Sequence, residues 1–371
     1  MIAFVTVALL GELAAAGSAP AIASTMTSPT TVPTSDESQV DSSATATTTT
    51  IPSTSTASGG LIVDGPSRSE CLTPNVNGSG IMALQSAITK FDEITDTSVS
   101  CISTYLSGAP SWSTWEKPWV TYAMYGYSTW VAEAPQSREL VLQVDLIPTN
   151  LKDINDPLSW ERSCSAGKFN SRATQLGRSL VAAGLQNSVI RLGAEMNGTW
   201  ESDFVGRKPV EQQQWVKCFD NEVIGLRLAP GEHFLIDWNP NACKYNLPYS
   251  RLYPGNSYVD IMGLDLYDVA CLAPSKPYSF AKLANEPAGL SSFESFAIAH
   301  KKPMSLPEWG LSTIPSGDDP KYIDGIGSAF DSKDFAFEAY FDVTGRKIKA
   351  LPLGSRTPFS ILAFRKWFGS A

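Results

Sequence analysis

A carboxylate, an amide and an aromatic side chain follow an apolar run in the stretch RLGAEMNGTW, residues 191–200. The preceding run NSVI predicts a buried strand that ends near Glu195. A strand end that only had to turn would use small polar residues. Instead, Glu195, Asn197 and Trp200 offer groups that can move protons, hydrogen-bond hydroxyls and stack on flat rings.

Three later apolar runs end in the same kind of chemistry. The side chains concerned are Trp238 and Asn239 in HFLIDWNPN, Asp265 and Tyr267 in VDIMGLDLYD, and Glu308 and Trp309 in KPMSLPEWG. The beginnings of these runs carry no comparable set. The candidate chemistry therefore lies at the carboxyl ends of the strands, which is where parallel barrels place their active sites.

Strand periodicity predicts which of these side chains meet. Side chains alternate between the faces of a strand, so Arg191, Gly193 and Glu195 share one face. If that face and the face of Glu308 point inward, the two carboxylates converge on the barrel axis and Arg191 lies one layer below. Glycine at 193 and at 263 would leave room inside the crowded barrel.

Two convergent carboxylates beside an arginine suit the cleavage of a glycosidic bond. One carboxylic acid protonates the leaving oxygen, while the other attacks the anomeric carbon or activates water. Glu195 and Glu308 are the predicted catalytic pair. Arg191 is a candidate substrate ligand or, alternatively, a buried structural partner of Asp265. The predicted substrate-binding residues are Arg191, Asn197, Trp200, Trp238, Asn239, Asp265, Tyr267 and Trp309.

The elements that must position these residues alternate along the chain. Eight strand candidates are present: LIVDG, SCISTYL, ELVLQVDL, NSVIRLGA, HFLIDWN, VDIMGLDLY, KPMSLPEW and DFAFEAYF. Helical periodicity marks residues 171–185, 209–228, 290–301 and 318–330, and residues 356–369 predict a final helix under the barrel. This alternation predicts a (β/α)8 barrel in one domain. An open doubly wound sheet is the alternative, although no Gly-rich loop follows the first strand.

The first part of the chain does not read as domain core. Residues 1–23 predict a signal peptide, although no Lys or Arg precedes the apolar run, and a buried N-terminal helix is the alternative. Residues 24–59 are rich in Ser, Thr and Pro, which predicts a disordered linker. The glycoside hydrolase-like domain is then residues 60–371, and the protein is expected to be secreted, with attachment to a cell wall left open.

Six cysteines lie in that domain, an even number that suits disulfides in an exported chain. Proximity along the sequence favours three pairs, with ordinary buried thiols as the alternative. The predicted pairs are Cys71 with Cys101, Cys164 with Cys218, and Cys243 with Cys271.

Composition excludes several other functions. The net charge of −9 disfavours nucleic acid as a partner, and no later segment is long and apolar enough to span a membrane. His233 and His300 both precede strand runs, so a Ser-His-Asp triad or a histidine metal site is not expected. No cofactor or metal is predicted, although calcium held by Asp and carbonyl groups stays open. The expected partner is a polysaccharide or oligosaccharide, and the expected state is a monomer.

The motifs resemble glycoside hydrolase family 26, whose best-known members are endo-β-1,4-mannanases, from about residue 100 onward. RLGAEMNGTW resembles the acid/base motif of that family, and VDIMGLDLYD and KPMSLPEWG resemble its sixth- and seventh-strand motifs. The resemblance implies that Glu195 is the general acid/base and Glu308 the nucleophile of a retaining enzyme. It also implies that Tyr267 hydrogen-bonds the nucleophile and that Trp200 stacks on a sugar.

The chain departs from the family pattern at one informative position. Mannanases of the family commonly carry histidine just before the acid/base, where this chain has Ala194, and residues 201–209 lack the usual aromatic cluster. The resemblance implies mannan as the first expected substrate, and this departure leaves xylan and mixed-linkage glucan open. A non-catalytic glycan-binding surface protein is the alternative function. The sequon at Asn197 lies in the expected site, so Asn77 is the better glycosylation candidate.

Overall fold

The computed structural model describes residues 69–106, 109–118, 122–152, 156–242, 249–269, 279–313, 316–332, 334–344 and 350–370. The strands are β1 (Ser69–Thr73), β2 (Cys101–Tyr105), β3 (Glu139–Val144), β4 (Val189–Leu192), β5 (Leu235–Trp238), β6 (Ile261–Gly263), β7 (Leu266–Tyr267), β8 (Met304–Ser312), β9 (Phe335–Phe341) and β10 (Ala350–Leu351). The helices are α1 (Gly80–Thr95), α2 (Trp112–Trp115), α3 (Tyr122–Glu133), α4 (Leu158–Ser165), α5 (Asn170–Ala182), α6 (Pro209–Arg227), α7 (Tyr249–Leu252), α8 (Phe280–Ala284), α9 (Leu290–His300), α10 (Pro320–Ser332) and α11 (Pro358–Phe368).

Eight parallel strand positions close into a barrel. The strands pair in chain order from β1 to β6, β6 pairs with β8, β8 pairs with β9, and β9 returns to β1. Two residues after β6, β7 also pairs with β8, so β6 and β7 share the sixth position. The short β10 lies antiparallel to the end of β8. The (β/α)8 barrel predicted from the sequence is confirmed, and the open sheet is wrong.

The strands form because both of their faces are buried. All six residues of β3 are buried, as expected for strands covered by helices outside and by side chains inside. A small apolar layer fills the interior below the candidate site, and its members alternate in phase with the site residues. They are Cys71, Cys101, Val141, Val189, Ile261, Phe337 and Ala339.

Most helices lie where the sequence predicts them. Helices α5, α6, α9, α10 and α11 match the five predicted stretches, and α6 opens at Pro209, where a missing N–H costs the helix nothing. One placement differs. Helix α11 contacts α10 and α1, and Phe364 packs on Trp309 and Phe91. The last helix therefore completes the outer ring beside the barrel and does not pack beneath it.

The first barrel strand is also not the predicted one. The run LIVDG at 61–65 lies outside the described residues, and β1 is SECLT, with three of its five residues carrying polar side chains. The segment is nevertheless a buried barrel strand: Cys71 pairs with β2 and four of the five residues are buried. The polar side chains of this segment explain why the sequence does not predict it.

Two predicted disulfides are confirmed. Cys71 joins Cys101 across β1 and β2, with Cα atoms 4.3 Å apart, and Cys164 joins Cys218 between α4 and α6, with Cα atoms 4.8 Å apart. The predicted pair Cys243–Cys271 and the predicted signal peptide and linker lie outside the described residues. Among the helices described, none combines the length and apolar character that a membrane span requires.

Candidate active site

Three carboxylates meet at the carboxyl ends of the barrel strands. Glu195, Asp265 and Glu308 each place a carboxylate oxygen within 4.8 Å of the others. Glu195 follows β4, Asp265 lies between β6 and β7, and Glu308 lies within β8. The predicted convergence of strands four and seven is therefore present in the geometry.

The backbone that carries Glu195 is bent out of the strand conformation. Gly193 has φ of +55° and Glu195 has φ of +52°, a left-handed conformation that is uncommon for a side chain larger than glycine. The backbone N–H of Glu195 donates to the carbonyl of Asn239 at 2.7 Å and holds this turn against the end of β5. Such local strain is commonly retained where it aims a functional group.

Glycine is required at positions 193 and 263 for two different reasons. A Cβ on Gly263 would lie 2.6 Å from Oδ1 of Asp237 and 2.9 Å from Oγ of Ser305, so Gly263 does relieve crowding inside the barrel. A Cβ on Gly193 would lie 2.8 Å from Trp215, which belongs to α6. The strict alternation expected along β4 therefore ends at Gly193, whose positive φ turns the chain toward the helix.

Nitrogen donors hold both oxygens of the Glu195 carboxylate. The indole N–H of Trp200 donates to Oε2 and the side-chain amide of Asn241 donates to Oε1. Burial, with the nearby charge of Glu308, raises the pKa of Glu195 to about 7, against the lowering effect of the two hydrogen bonds. Glu195 is therefore poised to exchange a proton near neutral pH.

Phenolic donors hold the oxygens of Glu308. Tyr267 donates its hydroxyl to Oε1 at 2.8 Å, and Tyr105 donates to Oε2 at 2.7 Å. Nη1 of Arg191 lies 3.8 Å from Oε2, and the Glu308 side chain is 14% exposed to solvent. Glu308 is thus a partly exposed carboxylate surrounded by O–H donors and one cation.

Arg191 is buried beneath the site and binds two of its neighbours. Its side chain is fully buried and donates to Oδ1 of Asn239 and to both carboxylate oxygens of Asp265, the latter at 3.0 and 2.8 Å. Asn239 also donates to Asp265 at 3.1 Å. Of the two readings left open by the sequence, the structure places Arg191 as the partner of Asp265, beneath Glu308. These three residues support the carboxylates from below.

Asn197 fixes the loop that carries Asn241. Its amide accepts from the backbone N–H of Asn241 at 2.9 Å and donates to the carbonyl of Asn241 at 2.8 Å. The side chain is buried, with 3% exposure, so the sequon at Asn197 has no accessible acceptor in the folded chain. Asn77 of the other sequon is exposed.

The structure does not bring Trp238 and Trp309 to the site. Both side chains are fully buried. Trp238 packs against Tyr249 and Tyr253 outside the barrel, while Trp309 stacks on Phe364 and donates to Glu338. Each is adjacent in sequence to an inward-facing residue of its strand, so alternation directs each of them outward.

Two residues at the site are absent from the predicted substrate-binding and catalytic residues. Tyr105 was hidden in the apolar run SCISTYL, where a terminal tyrosine resembles core packing. Asn241 stood in the fifth motif without being selected. The available signal for Tyr105 was its place at the carboxyl end of a strand, in phase with Cys101 and Ser103. His233 and His300 lie before β5 and β8 as expected.

Comparison with known proteins supports the resemblance. A model of the family described as glycosyl hydrolase family 26 matches residues 176–290, which include Glu195 and Tyr267 but end before Glu308. No curated protein matches the chain.

Solved structures share the fold at low sequence identity. A family 26 β-mannanase from Bacteroides ovatus superposes with a TM-score of 0.56 at 15% identity, over 75% of this chain and 81% of its own. The catalytic domain of an endo-β-1,4-mannanase from Bacillus sp. JAMB-750 gives 0.55 at 16% identity, over 82% and 86%. A β-mannanase from a symbiotic protist of the termite Reticulitermes speratus gives 0.54 at 12% identity, over 82% and 87%. The family match over residues 176–290 confirms the resemblance read from the sequence, and the chain is a glycoside hydrolase that resembles family 26 and is built on a (β/α)8 barrel.

Proposed function

We propose that this glycoside hydrolase is a secreted, retaining enzyme that cleaves internal β-glycosidic bonds of a polysaccharide, with β-1,4-mannan as its first substrate. One observation carries the proposal. The carboxylates of Glu195 and Glu308 approach within 4.8 Å of each other in two different chemical surroundings.

The separation favours double displacement. Retaining glycosidases place their carboxyl groups about 5–5.5 Å apart, whereas inverting enzymes need about 6.5–9.5 Å to admit a water molecule. An approach within 4.8 Å between oxygens is well short of the separation that inverting enzymes use. Glu308 is then the attacking group and not a base.

The surroundings support a different role for each carboxylate. Burial and the charge of Glu308 raise the pKa of Glu195 to about 7, so Glu195 carries a proton at mildly acidic pH and can act as the general acid. Glu308 accepts two phenolic hydrogen bonds near Arg191, an arrangement that suits a carboxylate nucleophile. Tyr267 and Arg191 then act by holding or polarising Glu308.

The reaction follows from these positions. An oxygen of Glu308 forms a bond to the anomeric carbon as the glycosidic C–O bond breaks, and Glu195 gives its proton to the leaving oxygen. Water then loses a proton to Glu195 and attacks the same carbon, which breaks the ester bond and frees Glu308. Two inversions return the original β configuration.

Structural relatives indicate the first substrate to test, and features of an exported chain support the location. Three of the structural relatives are β-mannanases, and the protist enzyme is described in complex with a gluco-manno-oligosaccharide. Ala194 replaces the usual histidine, so xylan and mixed-linkage glucan belong in the same test. The predicted signal peptide and the two disulfides support secretion.

The test is release of reducing ends from mannan, glucomannan, xylan and mixed-linkage glucan, with proton NMR of the first anomer formed. Glu195→Gln and Glu308→Gln should each abolish nearly all turnover. Glu133→Gln, which removes a surface charge paired with Arg138, is the matched control and should keep full activity. Binding of oligosaccharide without hydrolysis would favour a non-catalytic glycan-binding protein, and an initial α product would overturn retention.

A further inference from the structure

The geometry around Glu308 points to Tyr105 as a second positioning residue, which orients the nucleophile by holding one of its oxygens. We propose that Tyr105 and Tyr267 together fix the plane of the Glu308 carboxylate before it attacks. This inference rests on the proposed role of Glu308 and concerns a tyrosine that the sequence motifs did not select.

The two phenols bind different oxygens from different strands. Tyr267, at the end of β7, donates to Oε1 at 2.8 Å, and Tyr105, at the end of β2, donates to Oε2 at 2.7 Å. A single donor would leave the carboxylate free to turn about its last side-chain bond. Two donors, one on each oxygen, restrict that rotation, because any turn lengthens both hydrogen bonds.

Arg191 cannot replace Tyr105 at Oε2. Its Nη1 lies 3.8 Å from that oxygen, which is beyond hydrogen-bonding range. Its Nε and Nη2 are already committed to Asn239 and Asp265, so the guanidinium cannot approach without breaking those bonds. Within the described part of the chain, Tyr105 is the hydrogen-bond donor to Oε2.

Two contacts hold Tyr105 in place: one packs against its ring, and the other anchors the far end of its strand. The rings of Tyr105 and Tyr267 both meet Phe341 of β9 edge-on, with centroids 6.3 and 6.1 Å away. At the other end of β2, Cys101 is tied to Cys71 of β1 inside the barrel. Phe341 thus packs against both phenol rings, and the strand that carries Tyr105 is covalently anchored.

The expected consequence is specific to formation of the glycosyl ester. One oxygen of Glu308 must reach the anomeric carbon in line with the departing C–O bond, while the other becomes the ester carbonyl oxygen. Loss of the Tyr105 hydroxyl leaves Oε2 without its donor and widens the range of carboxylate orientations. The attack should slow, whereas sugar binding by the rest of the cleft should change little.

The experiment measures attack directly. Intact protein is incubated with 2-deoxy-2-fluoro-β-mannobiosyl fluoride or the corresponding cellobiosyl fluoride, and mass spectrometry follows labelling of Glu308. Fluoride leaves without acid assistance, so the rate reports the nucleophile. Tyr105→Phe should label about 10- to 100-fold more slowly than wild type, with the concentration for half-maximal rate within about twofold.

Matched variants separate positioning from structure. Tyr340→Phe also loses one buried hydroxyl bond, from Tyr340 to the carbonyl of Leu351 at 2.9 Å, and should label at the wild-type rate. Incorporation of 3-fluorotyrosine at position 105 retains the hydroxyl and should restore labelling to within a few-fold of wild type. The thermal unfolding of each variant is measured as well. Together with the 3-fluorotyrosine variant, this measurement distinguishes a lost hydroxyl from a folding defect.

The outcomes distinguish two failures. If wild type is labelled by neither fluoride, the proposed function is wrong. If wild type is labelled at Glu308 and Tyr105→Phe reacts at the same rate, the positioning role of Tyr105 is wrong. If 3-fluorotyrosine fails to restore the rate while the protein folds, the hydroxyl is not the group responsible, and the inference is also overturned.

Discussion

The two carboxylates of the site are the same chemical group held in two different ways. Glu195 lies on a loop with a left-handed backbone and accepts N–H donors from two other loop residues, Trp200 and Asn241. Glu308 lies within a nine-residue strand and accepts O–H donors from Tyr105 and Tyr267 at the ends of other strands. One carboxylate is therefore loop-held and the other is strand-held.

The difference matches what each step of the proposed reaction requires. An acid/base must bind and release a proton, so its surroundings balance burial against hydrogen bonds, and the pKa of Glu195 lies near 7. A nucleophile must present one oxygen along one line, so its surroundings need geometry more than balance. The predictions below test this division from the largest expected effect to the smallest.

Removing each carboxylate should affect different leaving groups differently. Glu308→Ala should lower turnover by at least about 10⁴-fold on any substrate, because the attacking group is absent. Glu195→Ala should lower turnover on polysaccharide by about 10²–10⁴-fold but spare the first step on dinitrophenyl glycosides, whose leaving group needs no proton. Steady-state rates on both substrate types provide the measurement.

Added azide sharpens this test. Azide should rescue Glu195→Ala and yield a β-glycosyl azide, because it attacks the ester without a base. In Glu308→Ala the same anion should enter from the opposite face and yield the α product. The same anomer from both variants would contradict the assigned roles.

One disulfide crosslinks the strand that carries Tyr105, the partner of the nucleophile, and the other crosslinks two helices near the strand that precedes the acid/base. Cys71–Cys101 anchors β2, which carries Tyr105, and Cys164–Cys218 joins α4 to α6 on the side of β4. Replacing either pair with alanine should lower the free energy of unfolding by about 3–4 kcal/mol, as expected for crosslinks that close loops of 30 and 54 residues. Chemical denaturation measures this loss.

Only one disulfide should influence the chemistry. Loss of Cys71–Cys101 should also slow labelling of Glu308 in protein that remains folded, because β2 loses its anchor. Loss of Cys164–Cys218 should leave the rate per folded molecule unchanged. Equal slowing in both variants would show that the strand-held nucleophile gains nothing specific from its anchor.

The two sides also differed in how much the sequence revealed. The residues around the acid/base could be predicted from the sequence, because RLGAEMNGTW brings Glu195, Asn197 and Trp200 into one continuous motif. The nucleophile side depends on contacts distant in sequence, and Tyr105 reaches Glu308 across 203 positions. Short-range patterns contain no record of such a pairing, so Tyr105 read as strand packing.

The barrel was more predictable than the direction of individual side chains. Alternation of buried strands and amphipathic helices defines the (β/α)8 order, whereas β1 was missed because SECLT hides its burial behind polar letters. Trp238 and Trp309 were selected for their chemistry, yet each points away from the site. Their neighbours Asp237 and Glu308 face inward, and strict alternation already required the tryptophans to face outward.

A buried acid remote from the site offers a contrast with Glu195. Glu161 of α4 is fully buried, and neither carboxylate oxygen has a hydrogen-bond partner in the described part of the chain. Burial, with the charges of Glu211 and Asp156, raises the pKa of Glu161 to about 9. The folded state therefore holds a proton that the unfolded chain releases, and stability falls as pH rises from about 4.5 toward 9.

Glu161→Gln should remove this dependence. Relative to wild type, the variant should gain on the order of 2 kcal/mol in unfolding free energy between pH 5 and pH 8, while its turnover stays unchanged. Urea denaturation at both pH values measures the gain, and Glu133→Gln on the surface should show none. A wild-type pH dependence in Glu161→Gln would show that Glu161 is not neutral in the folded protein.

The smallest expected effect tests the loop-held side directly. Asn241→Ala removes the amide donor from Oε1 of Glu195, and because that donor favours the ionised form, the pKa of Glu195 should rise above about 7. The general acid then keeps its proton to higher pH. The alkaline limb of the kcat/KM profile should move upward by about one pH unit, the size expected for a hydrogen bond to a charged group. Asn256→Ala removes an amide that bonds the carbonyl of His300 on the opposite side of the barrel and should leave the limb in place. A limb that stays fixed in Asn241→Ala would show that the loop amide does not set the protonation of the acid. The contrast between a balanced acid and a rigid nucleophile would then rest on burial alone.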